Sequence, residues 1–461
     1  MSQTVSQEFA RFTVHTKFQD LPGEVVARAK DLILDGLGVQ IAGSTLPWCQ
    51  SVYRYVVDMK VPGQVPVVNH GFRTHPEFAS MANATFAHSL EMDDWFPPAP
   101  AHPGCVALPV ALAYVEDMGG GGKEAVLATV IGYEIILRIA LAAGTSFVRD
   151  RAVHETSAEG VFGAAAIAAR MFRLSEAETV HALGLAASHA SGVMEYARTG
   201  GEVKRYHAGL AASAGGRCAL LARNGLTAPP TAIEGKRGAL QALSNSFDVA
   251  KLTAGLGSDY LILGTAVKFY ATAANLHPPL EGARALVEKH GLKLQDIQEV
   301  ELGMDSRSMW HVGSAGPRPK DATEAQFSAH FGIALALVKG SNSFATYEEQ
   351  ARKGFKDPEV LAMADKVKLV VDEEVDRTYP DIRQARVTIR TKDGRSFSQM
   401  AVNCKGMPQN PLTRAELESK FRGFASLALP ASQVDQIVES VARLEKLDGI
   451  STLSRLCLAK G

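Results

Sequence analysis

Three histidines share one local setting, because each stands just before an apolar, helix-forming run. His102 precedes Pro103–Gly104 and CVALPVALAYVEDM. His154 precedes Thr156, Ser157, Ala158 and Glu159, which read as a capping box opening GVFGAAAIAARMF. His277 precedes Pro278–Pro279 and LEGARALVEKHG, a helix expected to stop at Gly291. A helix N-terminus offers unpaired N–H groups and roughly half a positive charge, so it attracts carboxylates and disfavours an imidazolium. Such histidines are expected to stay neutral. A neutral imidazole beside a bound anion can take a proton from carbon or return one to a leaving group.

Cations stand where such an anion would want them. Lys204 and Arg205 follow the Gly200–Gly201 break, in the first turn of a helix rich in small residues, and Lys268 lies nine residues before His277. Asp93 and Asp94 sit on the Pro-rich loop HSLEMDDWFPPAPAHPG, about nine residues before His102. They could orient a histidine, hold a substrate hydroxyl or cap a turn; a Mg²⁺ site built on them lacks a third carboxylate nearby. Each residue has an ordinary alternative as well: a solvated lysine, a structural histidine, a turn-capping aspartate.

Other patterns fail. Gly119–Gly122 with Lys123 invites a phosphate-loop reading, but Asp117 stands where the upstream glycine belongs and Glu124 where Ser or Thr should follow. A surface turn between helices is expected there instead. His154–Glu155 begins like a zinc-protease helix, yet Ala158 replaces the second histidine. GxSxG is absent, as is GxGxxG in a strand-turn-helix setting. The five cysteines, Cys49, Cys105, Cys218, Cys404 and Cys457, are far apart and odd in number, which argues against a disulfide framework, a zinc site or a local iron–sulfur motif.

The elements that must position these residues fall into two kinds. From Val25 to about residue 260 the apolar spacing is helical, with alanine-rich runs that let helix backbones approach closely. After residue 265, IQEVELGMDS and KVKLVVDEEVD read as strands and ARVTIRTKDGRSFSQMAVN as a hairpin turning at Asp393–Gly394, with ATEAQFSAHFGIALALVKG as a helix between them. The chain is therefore expected to be mainly α: a large helical domain over 1–264, completed by amphipathic helices over 404–461, and a smaller α+β domain with an antiparallel sheet over 265–403.

With 48 Lys plus Arg against 49 Asp plus Glu in 461 residues, no global basic field exists to draw nucleic acid or an anionic membrane. No secretory leader is evident at the N-terminus, and apolar stretches such as Val106–Val115 are too short to span a bilayer, so a soluble cytoplasmic protein is expected.

Seven segments, in order, give the chain a resemblance to the MmgE/PrpD family, which includes 2-methylcitrate dehydratase, cis-aconitate decarboxylase and iminodisuccinate epimerase. They are ANATFAHSLEMDDW, HPGCVALPVALA, IGYEIILRIA, HETSAEGVFGAAAIAARMFRL, EVKRYHAGLAASAGGRCALLARNGLTAPPTAIEGKRG, KFYATAANLHPPLEGA and ATEAQFSAHFGIALALVKG. The resemblance implies a helical domain plus an α+β domain, a homodimer, a cleft between the domains, and no metal or organic cofactor. It implies catalytic or carboxylate-binding roles for His102, His154, Lys204 and Lys268, an acidic-loop role for Asp93, and a match for His277 in the epimerase-like branches. Where many relatives carry Asp-Asp-Thr-His, this chain has Asp93, Asp94, Trp95 and Phe96. The decarboxylase branch looks to carry a histidine where this chain has Ala273, and its tyrosine has no counterpart in SRSMWHVGSAGPRP.

The expected function is a cofactor-independent lyase on a di- or tricarboxylic acid, of the 2-methylcitrate dehydratase type. His102, His154, Lys204 and Asp93 are its expected catalytic residues, and Lys268, His277, Arg205 and Asp94 its substrate contacts. Alternatives are an epimerase of an imino- or amino-dicarboxylate, a decarboxylase of the cis-aconitate type, and a carboxylate-binding protein without chemistry.

Overall fold

Small residues set the helix spacing in the larger of two structural units. The computed structural model describes residues 3–459, and this unit takes in the chain up to Ser89, Asp93–Thr265 and the stretch from Thr413 onward. At its centre the helix Val203–Arg223 packs on the helices Glu155–Met171, Pro76–Ala87 and Glu176–Ala187. Ala208, Ala211, Ala212 and Ala219 are buried on the first, Ala164, Ala165 and Ala168 on the second. Alanine gives up no side-chain entropy in a helix and leaves the axes free to approach, so backbone proximity fills this core.

The helix Gly122–Ala143 is buried on nearly every face. By length and composition it could cross a membrane, yet here its apolar stretch lies almost wholly inside the unit. One turn apart on it, Glu134 and Arg138 form a buried ion pair at 3.3 Å. Glu134 also accepts the Ile262 N–H at 3.0 Å, and Arg138 donates to the carbonyls of Ala254 and Asp259 at 2.8 and 2.9 Å. Those bonds offset the desolvation of the two charges and tie the 254–262 stretch to the helix. Burial nevertheless pushes the Glu134 carboxyl up to about 7. The C-terminal helix Arg414–Ala425 packs against Gly23–Gly43, with Lys420 on buried Asp35 at 2.6 Å.

The second unit holds Leu90–Met92 and Ala266–Leu412. Its sheet has the strand order Val367–Val371, Ile297–Met304, Gln384–Thr391, Ser396–Val402. The expectation of an antiparallel sheet needs correction. Ile297–Met304 runs parallel to Val367–Val371, with Val300 opposite Val367, and antiparallel to Gln384–Thr391. Parallel neighbours cannot be joined by a tight turn, and the chain between them supplies a helical crossover, including Ala329–Lys339 and Pro358–Ala364. The helix expected over 322–340 is two helices, Ala322–Phe327 and Ala329–Lys339. Buried Ser328 takes extended backbone angles and its hydroxyl accepts the Phe331 N–H at 3.0 Å, restarting the helix as an N-cap. The helix His277–His290 covers the hairpin, with Gly282 against Val387 and Ala401, and it ends at Gly291.

Candidate functional site

The first unit clusters four histidines, two of them on one carboxylate. Asp93 Oδ2 lies 2.7 Å from His88 Nδ1 and 3.2 Å from His102 Nδ1, while His102 Nδ1 is also 2.8 Å from the Asp94 carbonyl. An ionised carboxylate and a carbonyl only accept, so both Nδ1 atoms carry their protons toward them and both Nε2 atoms present lone pairs when the rings are neutral. The His88 ring centroid is 5.3 Å from that of His102 and 5.6 Å from that of His154. His88 is fully buried, whereas the His102 side chain keeps 15% of its exposure.

His154 caps the helix Glu155–Met171, its N–H donating to Gly192 O at 2.8 Å. Its Nδ1 lies 2.9 Å from His207 Nδ1, and the edge of Tyr196 closes over both rings at centroid distances of 5.5 and 5.9 Å. Lys204, buried one turn before His207 on the same helix, disfavours protonation of His88, His154 and His207 by its charge. Burial is the larger cause: it pulls His88 and His207 down to about 4 and His154 well below its ordinary value. The expected neutrality of His154 is therefore owed first to desolvation. Its expected capping box does not form either, since the helix starts at Glu155 and Glu159 is buried with neither carboxyl oxygen bonded among the described residues.

Asp94 and Arg205 hold structure together. Asp94 Oδ1 accepts the Gly104 N–H at 2.9 Å and Oδ2 accepts the Tyr133 hydroxyl at 2.6 Å, which anchors the start of the helix carrying His102's chain onward. A Cβ at Gly104 would collide with both groups. Burial raises the Asp94 carboxyl to about 6 against these bonds. Arg205 stacks on Trp48 at 4.6 Å and donates to Ser89 O at 3.3 Å. Phe96, in the position noted as divergent, is a core residue packed over Gly264.

In the second unit, buried Lys268 lies 3.3 Å from Glu91. His277 is the first residue of its helix and meets Tyr270 edge-on at 5.2 Å. Asn275 Nδ2 donates to Ser308 Oγ at 2.6 Å, and Ala273 N–H to Gln326 O at 3.0 Å. Of the expected site residues, Asp93, Asp94, His102, His154, Lys204 and Arg205 belong to the first unit; Lys268 and His277 belong to the second.

Family models match along most of the chain: the MmgE/PrpD N-terminal domain over residues 7–252 and the MmgE/PrpD C-terminal domain over residues 270–446. The chain belongs to the MmgE/PrpD family. Among its relatives, cis-aconitate decarboxylase from Aspergillus terreus is 27% identical, covering 98% of this chain and 95% of that protein. Cis-aconitate decarboxylase from Mus musculus is 26% identical, covering 99% and 94%. An alkylcitrate dehydratase of a fungal species is 24% identical over 34% of this chain and 32% of its own length.

Within this MmgE/PrpD chain, sequence reasoning missed His88, His207, Tyr133, Tyr196 and Glu91. His207 had a signal, because it follows Lys204 by three residues on one helix and such residues are neighbours. His88 had none beyond lying five residues before Asp93. Donor atoms of His88, Asp93 and Cys105 lie within 4.8 Å of one another, a spacing a metal ion could bridge, although the His88–Asp93 hydrogen bond would have to open. Chemically, the cluster can accept or deliver protons at imidazole nitrogens beside a fixed ammonium group.

Proposed function

We propose that the chain is a lyase acting on a di- or tricarboxylic acid by proton transfer at a carbon next to a carboxylate, and that its reaction is dehydration of a citrate-type hydroxy acid such as 2-methylcitrate. The observation carrying this reading is Asp93 holding the Nδ1 atoms of His88 and His102, beside the His154–His207 pair and Lys204. In the proposed step a substrate carboxylate sits on the Lys204 ammonium, which spreads the negative charge that builds at the adjacent carbon. Neutral His154 takes the carbon proton. The electron pair forms the C=C bond, and the hydroxyl leaves the neighbouring carbon as water with a proton from His102. Asp93 favours that role, since a carboxylate at Nδ1 stabilises the imidazolium that must hold the proton. Lys268 is proposed as a carboxylate ligand in its own unit.

Decarboxylation of a cis-aconitate-type acid is the second reading, favoured by decarboxylase relatives matching nearly the whole chain. Ala273, in place of that branch's histidine, favours dehydration. Incubation with 2-methylcitrate, citrate, cis-aconitate and iminodisuccinate, followed by NMR, decides between them. Water loss to an unsaturated acid is expected. CO₂ release from cis-aconitate would install the second reading, deuterium exchange at an α-carbon without loss of mass would make the protein an epimerase, and no turnover at all would sink the lyase.

A further inference from the structure

Gly119, Gly120, Gly121 and Lys123 have no part in the chemistry above, yet they line a half-open cavity of about 740 Å³ in the first unit. The cavity shares no lining residue with the histidine cluster. Its volume falls within the roughly 300–1,000 Å³ of small-molecule sites. Four cations line it, Lys17, Lys123, Arg170 and Arg173, against two carboxylates, Glu124 and Asp448. Among the described residues no carboxylate comes within 4.0 Å of the charged side-chain nitrogens of the four, and Asp20 accepts only the Lys17 backbone N–H, at 2.8 Å. Glu124 is instead turned to the Gly121 N–H at 3.1 Å.

Arg170 is the telling member. Its guanidinium is half-buried, held by the carbonyls of Thr13 and Val14, and burial lowers its pKa. The Glu124 charge offsets only part of that burial, so a further anion beside the guanidinium would be stabilising. The glycine N–H groups cannot be the anchors, because those of residues 119–122 are spent on Glu116 O, Val115 O, Glu124 and Leu447 O. Side chains must do the binding. Phe18, Met118, Leu127 and Leu174 add apolar surface to the lining, and the Lys123 ammonium lies 5.8 Å over the Phe18 ring.

We propose that this cavity binds a nucleoside polyphosphate, with the phosphates on Lys17, Lys123, Arg170 and Arg173 and the base against Phe18. Four cations over two carboxylates leave an excess of two positive charges, which draws a phosphate-bearing anion. The proposal is independent of the lyase reading and is tested by binding. Calorimetric titration of the full chain with ADP, inorganic pyrophosphate and adenosine is the experiment. ADP is expected to bind, pyrophosphate more weakly, and adenosine without measurable heat. The double variant Lys123→Glu, Arg173→Glu changes two exposed side chains and should weaken ADP about 100-fold, roughly tenfold per lost charged contact. No heat from ADP at millimolar concentration, or an unchanged affinity in a double variant that melts like the parent, would overturn the proposal. Pyrophosphate binding as tightly as ADP would overturn the nucleotide assignment.

Discussion

His154 and His207 face each other Nδ1 to Nδ1 at 2.9 Å, so one ring donates the single proton between them and the other accepts it. When His154 is the donor, its Nε2 presents a lone pair able to take a proton, 3.5 Å from the Thr156 hydroxyl; when it is the acceptor, Nε2 carries hydrogen and cannot. His207 thus sets which form of His154 exists. His207→Gln, which retains a polar partner, is expected to lower kcat by about 10²-fold with a smaller change in KM, and His207→Phe to lower it further. Steady-state kinetics on the accepted acid would check this; equal kcat in both variants and the parent would remove His207 from the mechanism.

Asp93 is shared by two rings, with Oδ2 at 2.7 Å from His88 and 3.2 Å from His102, whose Nδ1 also meets the Asp94 carbonyl at 2.8 Å. Asp93→Asn keeps the shape but loses the charge that stabilises a protonated His102. Turnover should fall by roughly 10²–10⁴-fold, with an unchanged circular-dichroism spectrum. A loss confined to KM would point to substrate binding instead.

Acid should destabilise the fold through the buried imidazoles. Their ordinary value is about 6.5, and burial holds His88 and His207 at about 4. Below pH ~6.5 the unfolded chain binds protons that the folded chain refuses, so the stabilisation is complete above that pH and lost on descending to about 4. Asp94, raised by burial to about 6, acts in the opposite sense, because acid relieves the cost of its buried charge. Thermal melts across pH 7 to 4 should therefore show a steeper loss for the parent than for His207→Gln. Superimposable slopes would contradict the assignment.

The close approach of the helices Val203–Arg223 and Pro76–Ala87 depends on Gly209, where a Cβ would enter the Thr85 hydroxyl and the Met81 carbonyl. These helices lead to His88 and carry His207. Gly209→Ala is expected to cost about 1–3 kcal/mol by overpacking and to reduce turnover as well. Differential scanning calorimetry and an assay on the same sample check both; full activity with a lowered melting temperature would mean that the crossing supports the fold alone.

Much of this molecule is local, and so could be read along the chain. Proline at the start of the His102 helix, Gly291 at the end of another and the Asp393–Gly394 hairpin turn act over a few residues, and period-3.6 and period-2 patterns mark which face of each element is apolar. Residue types capable of proton transfer were equally visible in Asp93, His102, His154 and Lys204. Tertiary structure alone decided the rest. The His154 helix begins where it does because its N–H reaches Gly192 O, a partner no local pattern contains. The parallel strand pair comes from a helical crossover, and His88 and His207 join the site because small-residue helices pack closely enough to bring their rings together. Neutral imidazoles, too, follow from burial, which depends on everything packed around a ring and is written nowhere in its own stretch of sequence.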